Sequence, residues 1–274
     1  MKNKYATAAG FLLISLSWVG CTSLKEVSAF ASTCQQSLDK DNYTGYGHLH
    51  YCYDSCYTLN SSGKFAKDFD CNCGPSALLD TLIGSEYEAL SAYFAALSKL
   101  AGNGSVMNFA PIAGAVTAGT YGKVTITDNE AKAVNALSTV ATDLLTTRYK
   151  TKKIKEIIIK YNDTIRTALT LLKLHLDNLK SEIQVMNTAL GTRTDVLMAR
   201  APDDGERWAV IYIYKQKTLE WAGVVADYDK RCQSLDKILK GHMDLDEKVN
   251  ELGSESLKKS ILDLTRDIVY ISKH

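Results

Sequence analysis

Proline and histidine are scarce in this chain. The three prolines, Pro75, Pro111 and Pro202, stand where helical patterns already stop, so long unbroken helices are permitted between them. Five histidines, His48, His50, His175, His242 and His274, give little material for acid–base chemistry, and no Glu-x-x-His repeat of the di-metal bundle type is present. No serine or cysteine stands in a nucleophile elbow or triad context. Gly114, Gly119 and Gly122-Lys123 miss the phosphate-loop pattern, because Thr120 rather than lysine follows Gly119 and no strand precedes it. A large charge imbalance is also missing: 32 basic residues meet 31 acidic ones. That balance argues against a dedicated nucleic-acid binder.

What is present begins with the N-terminus. Lys2 and Lys4 precede a short apolar run, Ala6 to Val19. The run is too short for a permanent span, which needs ~20 residues, and suits a cleaved export signal over residues 1–20. It ends in Trp18-Val19-Gly20-Cys21, which resembles the lipobox of bacterial lipoproteins. The resemblance covers residues 1–21 alone. It implies cleavage before Cys21 and lipidation of that cysteine by diacylglyceryl and palmitate-like acyl chains, a stable membrane anchor at ~0.8 kcal/mol per buried CH₂. Thr22 rather than aspartate at the next position implies the outer membrane of a Gram-negative envelope, on its periplasmic or its outer face. Removal of Lys2 and Lys4 takes the basic count from 32 to 30 against 31 acids, a formal −1.

Residues 21–33 are expected to be the lipid anchor and a tether. Residues 34–75 are expected to form a Cys-rich irregular segment. Beyond Cys21 six cysteines remain, Cys34, Cys52, Cys56, Cys71, Cys73 and Cys232. An even number in an oxidising compartment predicts disulfides, with fifteen connectivities open; a paired Cys232 would staple this segment to a distant helix. The competing reading is a metal site of His48, His50, Cys52, Cys56, Cys71 and Cys73, whose ligand softness suits Zn²⁺.

Residues 76–274 predict an all-α, elongated antiparallel bundle with coiled-coil-like helices. A first helix from about Ser76 carries Leu79, Leu82, Ile83, Tyr87, Leu90, Tyr93, Phe94, Leu97 and Leu100 on one face and stops at Gly102-Asn103-Gly104. Asn129 to about Leu190 reads as one helix, opened by Asp128 or Asn129, whose apolar residues Ile154, Ile158, Tyr161, Ile165, Leu169, Leu172, Leu176, Leu179, Ile183, Met186 and Leu190 form a heptad seam. About sixty residues at 1.5 Å each make a rod roughly 90 Å long. A third helix, capped by Asp203 or Asp204, is expected to turn Trp208, Ile211, Tyr212, Leu219, Ala222, Val225, Ala226, Cys232, Leu235 and Leu239 inward. A shorter pair, Asp244–Leu252 and Glu255–Ser272, completes the bundle.

Two stretches stand out as surfaces. The 101–128 connection is nearly chargeless, and Met107, Phe109, Ile112 and Val116 would contact membrane or a partner if it were exposed rather than folded over the bundle end. Arg148, Lys150, Lys152, Lys153 and Lys155 form a basic collar able to meet a polyanion, unless its charges are simply solvated. The expected function is a non-enzymatic envelope lipoprotein that binds or spaces a protein or envelope polymer, without cofactor beyond its covalent lipid. A membrane-inserting bundle and a metal-dependent enzyme are the alternatives.

Overall fold

The computed structural model describes residues 23–39, 45–59, 71–102, 116–121, 124–145, 150–252 and 254–273. The architecture is an all-α bundle: α1 (Ser23–Ser37), α2 (His48–Leu59), α3 (Gly74–Gly102), α4 (Asp128–Leu145), α5 (Lys150–Arg200), α6 (Asp204–Glu247) and α7 (Glu255–Lys273). A small antiparallel hairpin, β1 (Gly119–Tyr121) and β2 (Val124–Ile126), pairs Gly119 with Ile126 and Tyr121 with Val124. Among the described residues no helix is long and apolar enough to cross a membrane.

The seam from Ile154 to Met186 is the spine of the molecule. Ile154, Ile158, Ile165, Leu172, Leu176, Leu179 and Ile183 are fully buried, and Tyr161, Leu169 and Met186 nearly so. Fifty-one residues at 1.5 Å make α5 about 76 Å long. Gly191 does not stop it. Burial of Thr194 and Ala201 on the turns beyond holds the helix through the glycine to Arg200. Pro202 then breaks it, and Asp203 caps α6 by accepting a bond from the Glu206 amide at 2.9 Å.

The single rod expected from Asn129 to Leu190 is in fact two helices. The apolar pattern lapses between Leu145 and Ile154, and α4 packs beside α3 and α5 instead of continuing α5. Its start is set by a capping box: the Thr127 amide and hydroxyl donate to Glu130, whose amide donates back to the Thr127 hydroxyl at 3.3 Å. The cap is therefore Thr127, not Asp128 or Asn129.

The expected tether is a helix built into the core. Val27, Phe30, Ala31 and Cys34 of α1 are buried. Its approach to α3 is close because small residues meet there: the Ser28 hydroxyl donates to the Ser98 carbonyl at 2.8 Å, and the Ser98 hydroxyl to the Ser28 carbonyl at 2.9 Å. Phe30 meets Phe94 edge-on at 6.3 Å. On the far side α1 packs against α7, which buries Leu257, Ile261, Leu264 and Ile268, so the first and last helices close on one another.

The inner face assigned to the third helix needs correction over its first half. Trp208, Tyr212 and Leu219 lie 66%, 50% and 70% exposed, while Trp221, Tyr228, Cys232, Leu235, Ile238 and Leu245 are buried. Two apolar stripes share this helix, and the one running through Trp221 and Tyr228 is turned into the bundle.

Candidate functional site

The Cys-rich segment is a clamp around α2. Cys52 bonds Cys73 and Cys56 bonds Cys71, so two adjacent turns of α2 are tied to the entry of α3. Cys34 and Cys232 are free and buried. The stapling of Cys232 to the N-terminal segment is thus corrected: its Sγ donates instead to Asp177 at 3.6 Å. Burial, then the Asp177 carboxylate, push its thiol up to about 12, and burial raises Cys34 as well. Both stay protonated and inert at neutral pH. Cys52, Cys56, Cys71 and Cys73, counted as zinc ligands in the alternative reading, are bonded to each other here and present no thiolate. Among the described residues no group of His, Cys, Asp and Glu is placed to hold a metal.

Two aspartates fix the clamp's position. Asp80 of α3 caps α2, accepting from the His48 amide at 2.8 Å and the Leu49 amide at 2.9 Å. Its carboxylate comes so near Gly47 that a Cβ there would lie 2.6 Å from Oδ2; only glycine lets the two approach. Asp54, on α2 itself, accepts from Tyr46 Oη at 2.7 Å, Lys217 Nζ at 2.8 Å and Trp221 Nε1 at 3.2 Å. Tyr228 Oη donates to the Tyr46 carbonyl. Asp54 therefore locks α2 onto α6.

A cleft of about 390 Å³ opens between this clamp, the hairpin and α5. His48, Tyr51, Ser55, Asn72, Tyr121 and Glu182 are among its lining residues, and a second hollow of about 260 Å³ continues it along α5, sharing Tyr51, Val124 and Glu182. Hydroxyls, an amide, a carboxylate and two tyrosine rings make this a polar site with aromatic walls, of a size that receives part of a larger molecule. At the cleft, burial pushes the His48 imidazole down to about 4, against the pull of Asp80; it is neutral at pH 7. Deeper in the core, Glu86 and His175, both fully buried, pair at 3.1 Å. Burial raises the Glu86 carboxyl while the His175 hydrogen bond opposes the rise. The pair joins α3 to α5 through His175 Nδ1 and Glu86 Oε2.

The other candidates lie apart from this cleft. Val116 is buried and its amide donates to Asn135 Oδ1 at 2.9 Å, so it is packed over the bundle; Met107, Phe109 and Ile112 lie outside the described residues, as do Cys21 and Arg148. Within the collar, Lys150 and Lys152 fall on α5. Lys153 reaches Glu156 at 3.9 Å, and Lys155 donates to the Asn250 carbonyl at 3.5 Å. His50 packs against the Tyr46 ring at 5.8 Å. Sequence reasoning singled out His48 and the four bonded cysteines, which do converge on one site. It missed Asp54, Asp80, Tyr51, Tyr121 and Glu182, since single polar residues carry no periodic signal. Compared with protein-family models, curated proteins and solved structures, the chain matches none.

Proposed function

We propose that this chain is an envelope lipoprotein, anchored through lipid on Cys21, which acts as a non-enzymatic binding and spacing module. The observation that carries the reading is the disulfide-clamped cleft against a long rigid helix. Disulfides belong to an oxidising compartment, and the export signal followed by Cys21 delivers the chain to one. Helix α1 starts at Ser23, two residues after Cys21, with Val27 already in the core, so a lipid on Cys21 would hold the bundle close to the bilayer. Tyr51, Tyr121, Asn72 and Glu182 offer rings and hydrogen bonds to a polar segment of an envelope protein or polymer.

The test has two arms in intact cells. Cys21→Ser is expected to abolish acyl labelling and move the protein from the membrane to the soluble fraction. A photocrosslinker at Tyr121 is expected to capture a discrete envelope component, and one at exposed Lys259 is not. Membrane retention of the unlabelled Cys21→Ser protein would remove the anchor. Equal capture from both positions, or none from Tyr121, would remove the cleft.

A further inference from the structure

The outer face of α6 carries a heptad seam that the bundle does not use. Trp208, Tyr212, Lys215, Leu219, Ala222 and Ala226 succeed one another at steps of four, three, four, three and four residues, and all six are exposed. At 100° per residue they fall within about 80° of arc, a single stripe on the helix. Trp208 and Tyr212 stack at 5.3 Å with their planes 12° apart, a flat aromatic slab facing solvent. A 3.5-residue apolar period is the pattern by which one helix recognises another. We propose that this seam joins two copies of the chain, their α6 helices antiparallel about a twofold axis.

The case for a second copy lies in the order of large and small residues. Antiparallel pairing centred between Lys215 and Leu219 sets Trp208 against Ala226 of the second copy, Tyr212 against its Ala222, and Lys215 against its Leu219. Every layer then joins one large residue to one smaller, and the interhelical distance stays even along the seam. Parallel pairing would instead stack tryptophan on tryptophan at one end and alanine on alanine at the other. A self-complementary patch of this kind is what a twofold interface requires. The lysine stem can cover leucine while its ammonium reaches water. The flanking positions are Ala209, Gln216 and Gly223 on one side and Ile211, Thr218 and Val225 on the other. None is charged, so Lys215 is the one charge that each face brings to the seam.

The area is sufficient. Two tryptophans and two tyrosines, at ~150–250 Å² of side chain each and half to two-thirds exposed, supply roughly half of the ~1,000 Å² a specific interface requires. The two copies of Leu219, of the exposed Ala209, Ala222 and Ala226 and of the Lys215 stem supply the rest. The inference does not depend on the lipid anchor or on the cleft, and its failure would leave both standing.

The experiment uses the full chain extracted in detergent. Light scattering is expected to give a dimer, and Leu219→Asp to weaken association at least ~30-fold, the effect of a hot-spot residue, with the circular dichroism spectrum unchanged. Gln216→Cys, beside the axis, is expected to form an intermolecular disulfide. Ala222→Cys alone is not, whereas a mixture of Tyr212→Cys and Ala222→Cys proteins is. A monomeric wild type at high micromolar concentration overturns the proposal. So does a dimer indifferent to both Leu219→Asp and Tyr212→Asp, which would place the contact elsewhere. Efficient crosslinking of Ala222→Cys alone overturns the antiparallel register. Capture of a foreign helix by the seam in place of a second copy overturns the choice of partner.

Discussion

Two glycines inside helices have opposite physical meanings. Gly84 in α3 has open space where a Cβ would stand, so it contributes backbone freedom to the unfolded chain and no contact to the folded one. Gly84→Ala is expected to stabilise the protein by about 0.5–1 kcal/mol. Gly241 in α6 lies directly against the Phe30 ring of α1, leaving no room for a Cβ. There Gly241→Ala forces the helices apart and is expected to cost about 1–3 kcal/mol. Urea titrations of the two variants beside wild type would check both signs. The neighbouring His242 is fully buried, accepts or donates one bond to Tyr93 Oη at 3.0 Å and is faced by Phe94. Burial lowers its imidazole to about 4. In the unfolded chain it would protonate near 6.5, so between those values the unfolded state binds the extra proton and stability falls as pH falls. His48 acts in the same direction and Glu86, raised by burial, against it. His242→Gln isolates the one group: the loss of stability between pH 7 and pH 5 is expected to shrink by about 2 kcal/mol. An unchanged difference in chemical denaturation at the two pH values would refute the assignment.

At the scale of elements, α2 is the piece most dependent on others. Its twelve residues are too few for an isolated helix; two disulfides, the Asp80 cap and the Asp54 lock hold it. Asp80→Ala strips the partner from the two first amides of α2. A loss of about 1–2 kcal/mol is expected, with hydrogen exchange accelerated over residues 48–56 and little altered over residues 154–183. Acceleration spread evenly over both helices would mean that Asp80 acts on the whole bundle. This dependence also explains what could be read in advance. The α3 face, the α5 seam from Ile154 and the α7 stripe were legible because a repeated apolar step on a long helix leaves a periodic trace. The α1 and α2 helices were not, because Cys, Tyr, Ser, Thr and Asp blur that period and the forces that make them helical come from α3, α6 and α7. The first half of α6 misled for the converse reason. It has two apolar stripes, and period alone does not say which one enters the bundle; burial of Trp221 and Tyr228 decides it. The candidate site was half legible: cysteine spacing drew attention to the clamp, but pairing and the contributions of α5 and the hairpin are tertiary facts.

Across the whole molecule, stability should be distributed unevenly along α5 and α6. From Ile154 to Leu179, α5 is buried among other helices, and from Tyr228 to Leu245 α6 is as well. Beyond Met186, the two helices lean chiefly on each other among the described residues, and Val196, Leu197, Trp208, Tyr212 and Ile213 face solvent. Fewer buried apolar contacts mean a smaller free energy of local opening. Amides of residues 188–219 are therefore expected to exchange through partial opening, faster than those of residues 165–179 and 228–245, which should exchange only with global unfolding. The antiparallel pairing of α6 adds a second dependence. Protection of residues 205–222 should rise with protein concentration, since association stabilises by mass action, and Leu219→Asp should abolish that rise while leaving the slow-exchanging set unmoved. Uniform protection along both helices would contradict the division into two zones. A concentration dependence that survives Leu219→Asp would contradict the role of the seam alone, so the two claims stand or fall on separate features of one exchange experiment.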